Sequence, residues 1–129
     1  MTFAWTDYVT LAEELSKCTD EAARRCSISR AYYGAYCQAR DSALLPSSPR
    51  ANSHRVVHDH YVLAASNRMN VVGNLLSDVY SFRLKADYDT RWTGAHQNAD
   101  RVVRKARTIE QKLSEIPSDE LQSGRMRRV

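Results

Sequence analysis

Turn-forming residues are scarce: 129 residues contain four Gly and three Pro. No segment alternates strictly between apolar and polar residues, so the missing turn punctuation points to helices rather than strands. Long hydrophobic runs are also missing. A spanning helix needs ~18 apolar residues, whereas the longest run here goes only from Ala31 to Cys37 and contains Gly34. The opening segment, MTFAWTDYVTLAEEL, lacks the basic start and apolar centre of a secretory signal. These absences predict a soluble, cytoplasmic protein that does not enter a membrane.

Cysteine is both rare and odd in number, with three residues, which argues against a closed disulfide framework. Cys26 and Cys37 are three helical turns apart and share a helix face, but their backbones then lie roughly 16 Å apart. That is too far to bridge or to share a metal. Both are expected as small buried hydrophobes in a reducing compartment.

What is present suits a single folded domain. The chain is 43% hydrophobic and 26% charged, which excludes a wholly disordered polymer. A domain of this length buries roughly two-thirds of its unfolded surface and needs no metal or cofactor to hold a core. The net charge of +4 permits a polyanionic partner without establishing one. Arginine supplies 15 of the 19 cations, and its planar fork suits phosphates and carboxylates.

The apolar spacing predicts an all-α, up-and-down antiparallel bundle of about five helices in residues 1–116, followed by a flexible, basic-ended tail over 117–129. The first helix runs over 6–17, with Tyr8, Leu11, Ala12 and Leu15 on one face. The second runs over 20–45, capped by Thr19, with Asp20 and Glu21 in its first turn. One stripe on it is Cys26, Tyr33, Cys37 and Leu44; another is Ile28, Ala31, Tyr32, Ala35, Ala39 and Ala43. A helix apolar on so many sides belongs at the centre of the bundle. PSSPRANS (46–53) breaks the chain, with Ser53 placed to cap a third helix over 54–66. A fourth over 70–86 carries Val72, Leu75, Leu76, Val79, Phe82 and Ala86. DYDTRWTG (87–94) reads as a loop. The fifth, over 95–116, carries Ala99, Val102, Val103, Ala106, Ile109, Leu113 and Ile116, and Pro117 ends it.

Two motifs stand out: ISRAYYGAY (28–36) in the second helix and FRLKADYD (82–89) at the end of the fourth. Together with Trp5, Tyr8, Leu11-Ala12, His54 and Val57, they resemble the small prokaryotic HEPN-domain proteins, in the branch with S-R-A-Y-Y and R-x-x-A-D-Y-D motifs. The resemblance covers residues 5–116. It implies a helical bundle, commonly a homodimer, that binds RNA or nucleotides in toxin–antitoxin or phage-defence modules, in some cases beside a nucleotidyltransferase partner. Active relatives are metal-independent ribonucleases that use an Arg and a His four to six residues later, joined across the dimer. Here Arg83 matches the Arg, but Asp87 and Tyr88 stand where the His is expected. The resemblance therefore implies RNA or nucleotide binding without the usual ribonuclease pair. The alternatives are an active endoribonuclease in which His96, or a His of the third helix, joins Arg83 in a composite dimer site, and a plain protein-interaction module. In some nucleotidyltransferase pairs a Tyr near the motif is modified by nucleotide addition, and Tyr88 occupies that place.

The residues themselves carry further expectations. On a helical wheel Arg83 falls among apolar positions, and a buried guanidinium must be paired. Asp87, one turn later, offers an ion pair, with Asp89 close in sequence. Arg83 then either locks the helix end or holds a phosphate in a cleft. Ser29, Arg30, Tyr32, Tyr33 and Tyr36 load the central helix with polar-tipped rings, which serve as core, as dimer interface or as a stacking surface for bases. Arg30 and Tyr33 join Arg83, Asp87, Tyr88, Asp89 and His54 as the candidate ligand- or RNA-binding residues. Arg55 with His60, and Arg91 with His96, match the Arg/His spacing literally, a coincidence expected in an arginine-rich chain. His54 and His58 share a helix face, but no third ligand or HExxH pattern accompanies them, so no metal site is expected. His54 is instead expected to reach a partner in the DYD segment. Arg101, Arg104, Lys105 and Lys112 form a basic stripe that is either solvated or tracks a phosphate backbone; Arg125, Arg127 and Arg128 are similar. Ser/His/Asp catalysis has no sequence support, since there is no nucleophile elbow.

Overall fold

Asp20 accepts the Ala23 amide at 3.2 Å and so begins the longest central helix, α2 (Glu21–Ser42), in the computed structural model, which describes residues 2–47 and 53–122. Thr19, the expected cap, lies one residue outside. The carboxylate takes its place because it also brings negative charge to the positive end of the helix. The far end of α2 closes on Leu44, whose φ of 55° is left-handed. The Leu45 amide donates to the Arg40 carbonyl and the Leu44 amide to that of Asp41, each at 3.0 Å. This is a Schellman closure with leucine where glycine is usual. It turns Leu44 outward, 72% exposed, instead of into an apolar stripe.

The other helices are α1 (Thr6–Ser16), α3 (Ser53–Val62), α4 (Asn67–Tyr88), α5 (Ala95–Glu115) and α6 (Ser118–Gln122). The described residues form a small all-helical bundle, and none of these helices is long and apolar enough to cross a membrane. α4 starts earlier than expected because Ser66 accepts the Met69 amide at 3.2 Å. It also ends later, so Asp87 and Tyr88 are helical and the loop begins at Asp89.

Cross-helix contacts fix the directions. Ser27 donates to the Ala12 carbonyl at 2.6 Å between α1 and α2. Tyr33 and Ser29 of α2 meet Arg83 and Asp87 of α4, and Asp78 of α4 pairs with Lys105 of α5. The four long helices α1, α2, α4 and α5 thus alternate up and down around a core that includes Ile28, Ala31, Ala35, Val79, Val102 and Ile109. α3 pairs antiparallel with α4, with His54 beside Tyr80 and His58 beside Ser77, and so runs the same way as α2.

Three expectations shift. On α1 the buried residues are Val9, Ala12 and Ser16, while Leu11 is 45% exposed. The close approach of α1 to α2 explains the rotation: a Cβ on Gly34 would lie 2.6 Å from Val9 Cγ2, so Val9 points at the glycine. Cys37 is buried, but Cys26 and Cys18 are exposed, because the face shared by Cys26 and Cys37 is covered along only part of α2. Finally, the expected tail begins as a docked helix. On α6, Leu121 is buried and Glu120 takes a two-pronged bond from Arg68 along with one from Ser66. These donors hold the Glu120 carboxyl down at about 2, the Arg68 bond contributing most. Five residues with one apolar anchor are too short to show periodicity. Arg125, Arg127 and Arg128, and most of the PSSPRANS break, lie outside the described residues.

Candidate functional site

Arg83 emerges from α4 into a ring of aromatic side chains. Its Nη2 donates to the Tyr33 hydroxyl at 2.6 Å and to the Tyr88 hydroxyl at 3.2 Å. Its Nε lies 2.9 Å from Asp87 Oδ2, an ion pair one helical turn long. The guanidinium also sits 5.1 Å over the Tyr33 ring, 5.2 Å over Tyr88 and 5.9 Å over Tyr32. Burial disfavours the charge, but Tyr33, Tyr88 and Asp87 outweigh it and the net pKa shift is upward. The arginine stays charged although its side chain is only 15% exposed.

The network continues onto α2. Ser29 donates to Asp87 at 3.2 Å, and Arg30 extends toward Ser29 while its guanidinium lies over the rings of Tyr8 (5.1 Å) and Tyr33 (5.6 Å). Two arginines therefore contact one tyrosine ring. Arg83, Asp87, Tyr88, Arg30 and Tyr33, all singled out from the sequence, come together here.

Others stand apart. Asp89 accepts the Arg91 amide at 3.0 Å and shapes the turn after α4. His96 lies exposed in the first turn of α5, where its carbonyl takes a bond from Arg24 at 2.8 Å. Among the described residues no interaction joins its side chain to Arg83. His54 does not reach the DYD segment: it stacks on Tyr80, centroids 4.0 Å apart. Burial, then the charges of His58, Arg83 and Arg55, push its pKa below the ordinary 6.5.

Beside this network lies a cavity of about 300 Å³ between α2, α3 and α4. Tyr32, Tyr36, Tyr80, Val57 and Leu76 give it rings and apolar surface; His54, His58, Arg55, Asp59 and Ser77 bring polar groups to it. Tyr32 links the two regions, lying under Arg83 and lining the cavity. Burial pushes its hydroxyl pKa far up, so it remains a neutral phenol. A shallower groove on α4 and α5 carries Arg101, Arg104, Lys105 and Phe82. Among the described residues, no three His, Cys, Asp or Glu side chains cluster as metal ligands would.

Sequence reasoning missed the cavity. Tyr80 and Ser77 lie on α4 without any motif, and their meeting with α3 depends on how α3 packs. The His54/His58 pair was visible, but as two residues on one face rather than as one wall of a pocket. Arg25 was missed too: it donates to the carbonyls of Lys85, Ala86 and Trp92, capping the end of α4 and tying down the following loop. Comparison with models of known protein families, with curated proteins and with solved structures finds no match.

Proposed function

We propose that this protein binds RNA or a nucleotide at the Arg83 network and its adjoining aromatic cavity, without using the HEPN-type Arg/His ribonuclease pair. The observation that carries this reading is the closeness of a guanidinium to an aromatic cavity: the buried Tyr32 ring lies under Arg83 and also lines the cavity, beside the half-buried Tyr80 and His54. A base needs a ring to stack on, and a phosphate needs a fork of N–H donors within a few ångströms of that ring. Arg83 lies 5.9 Å over the Tyr32 ring, Arg55 lines the same cavity as Tyr32 and Tyr80, and the cavity is of a size that takes one base. The biological setting that goes with this reading is a toxin–antitoxin or phage-defence module, with the chain as a homodimer beside a nucleotidyltransferase. The groove of Arg101, Arg104 and Lys105 offers a path for further phosphates.

A second reading, a metal-independent endoribonuclease, draws on His54 of the third helix lining the same cavity as Tyr32, over whose ring Arg83 lies. One experiment separates the two. Labelled single-stranded RNA and free nucleotides are titrated against wild type and Arg83→Ala at low and high salt, and structured RNA is incubated with both in EDTA. Binding that falls at least about tenfold in the variant and weakens steeply with salt supports the first reading. Cleavage in EDTA abolished by Arg83→Ala replaces it with the second. No binding at low salt leaves a protein-interaction module.

A further inference from the structure

The wall of the cavity formed by α3 and α4 holds an arrangement that base binding does not use. Ser77 sits midway along α4, where a serine ordinarily bonds back to the carbonyl four residues earlier. Its hydroxyl instead crosses to α3 and meets Nε2 of His58 at 2.5 Å. The other ring nitrogen, Nδ1, faces Asp59 Oδ1 at 3.2 Å. A carboxylate only accepts, so the ring proton belongs on Nδ1. That leaves the Nε2 lone pair for the Ser77 hydroxyl, which donates. A base thus touches the hydroxyl and a carboxylate orients the base, all on the rim of an apolar cavity.

We propose that Ser77, His58 and Asp59 form a nucleophilic site for small carboxylic esters whose aryl or short acyl part seats among Tyr36, Val57, Leu76 and Tyr80. Ser77 Oγ attacks the ester carbonyl carbon while His58 Nε2 takes the hydroxyl proton and the carbonyl electron pair moves onto oxygen. That pair returns, the C–O bond to the alcohol breaks, and the departing alcohol collects the proton from His58. Ser77 is left acylated. Water then attacks the acyl carbon, its proton passes through His58 to Ser77 Oγ, and the carboxylic acid leaves. Asp59 is a positioning residue that holds the imidazole tautomer. The Ser77 amide belongs to the helix ladder, so the cation available to a developing oxyanion is Arg55, which lines the same cavity and pairs with Asp59 at 3.8 Å. Without a pair of free backbone amides, the site suits activated esters and not amides.

The ester and the base of the binding reading would share one cavity, but this proposal uses neither Arg83 nor RNA, so label on Ser77 and RNA binding lost in Arg83→Ala report on the two readings separately. The test treats the full chain with a fluorophosphonate and with p-nitrophenyl acetate and butyrate. One equivalent of label on Ser77, found by peptide mass spectrometry, is expected, with steady release of p-nitrophenolate. Ser77→Ala should lose label and turnover, and His58→Gln should slow both at least about tenfold. Asp59→Asn should slow acylation without moving the melting temperature, and Asp59→Glu should restore part of the rate. The Asp59 pair keeps the test decisive where His58→Gln fails to fold. Absence of label on Ser77 in the folded wild type, or turnover unchanged in Ser77→Ala, overturns the proposal.

Discussion

Arg83 Nη2 and the Tyr33 hydroxyl lie 2.6 Å apart across the contact between α4 and α2, the arginine donating and the tyrosine accepting. The same guanidinium holds Asp87, whose other neighbour, Ser29, is again on α2. One side chain thus ties the last turns of α4 to the centre of the bundle.

Removing it should therefore cost stability as well as any ligand. Arg83→Ala leaves Asp87 and Tyr33 without their cation, at an expected loss of about 1–3 kcal/mol. Arg83→Lys keeps the charge but cannot span Tyr33, Tyr88 and Asp87 together, so it should lose a smaller part of that sum. Urea denaturation of the two variants beside wild type checks the order.

Leu44 offers the opposite sign. Its side chain is largely exposed, so little apolar burial is at stake, while its left-handed backbone strains any residue with a Cβ. Leu44→Gly should stabilise the protein by up to about 1 kcal/mol, since the relieved left-handed strain of roughly 1–2 kcal/mol exceeds the added chain entropy of glycine. Leu44→Ala, which keeps the strain, should gain nothing. Thermal melts of both decide it.

Gly73 tests how tightly α3 lies on α4. A Cβ there would come within 2.5 Å of Val62 Cγ2 and 2.9 Å of the Val62 backbone nitrogen. The side-chain clash can relax, but the backbone one requires α3 to move. Overpacking of this kind costs about 1–3 kcal/mol, against roughly 1 kcal/mol gained in helix propensity. Gly73→Ala should therefore destabilise, measured by denaturant midpoint. An increase in stability would show that α3 yields freely.

His54 sets a pH dependence. Its folded pKa lies below 6.5, from burial first and then from His58, Arg83 and Arg55, so folding favours the neutral ring. The stability it contributes is complete above 6.5 and is lost as pH falls through the lowered folded value. Nuclear magnetic resonance titration of the ring should find its midpoint below 6.5. Arg83→Ala should move that midpoint upward by removing one of the opposing charges.

The long helices were legible because each carries a periodic apolar face: α5 begins and ends within a residue of its expected limits. The Arg83–Asp87 pair was legible for a similar reason, since a charge among apolar positions must find a partner one turn away. Helix ends were less so, because Asp20 over Thr19, and Ser66 ahead of Asn70, are settled by single side-chain bonds to backbone amides. α6 escaped because one buried leucine and one bidentate ion pair leave no repeating pattern. The cavity escaped for a different reason: it is a gap between helices, set by the seating of α3. No residue spacing within one helix encodes the distance from His58 to Ser77.

The seating of α3 has a mechanical side. Its late end is held from within: the Tyr61 hydroxyl donates to the Ala39 carbonyl at 2.6 Å, and Asn70 gathers the carbonyls of Tyr61, Val62 and Ala64. Its early end rests on the stacked rings of His54 and Tyr80, with Arg55 and Val56 in water. Local opening of α3 is therefore expected to begin at its His54 end, at a free energy below that of global unfolding. Amide exchange should grade along α3, fastest near His54 and slowest near Tyr61. Because His54 lines the cavity and covers the face of Tyr80, the end of α3 that should exchange fastest is the end that bounds the cavity.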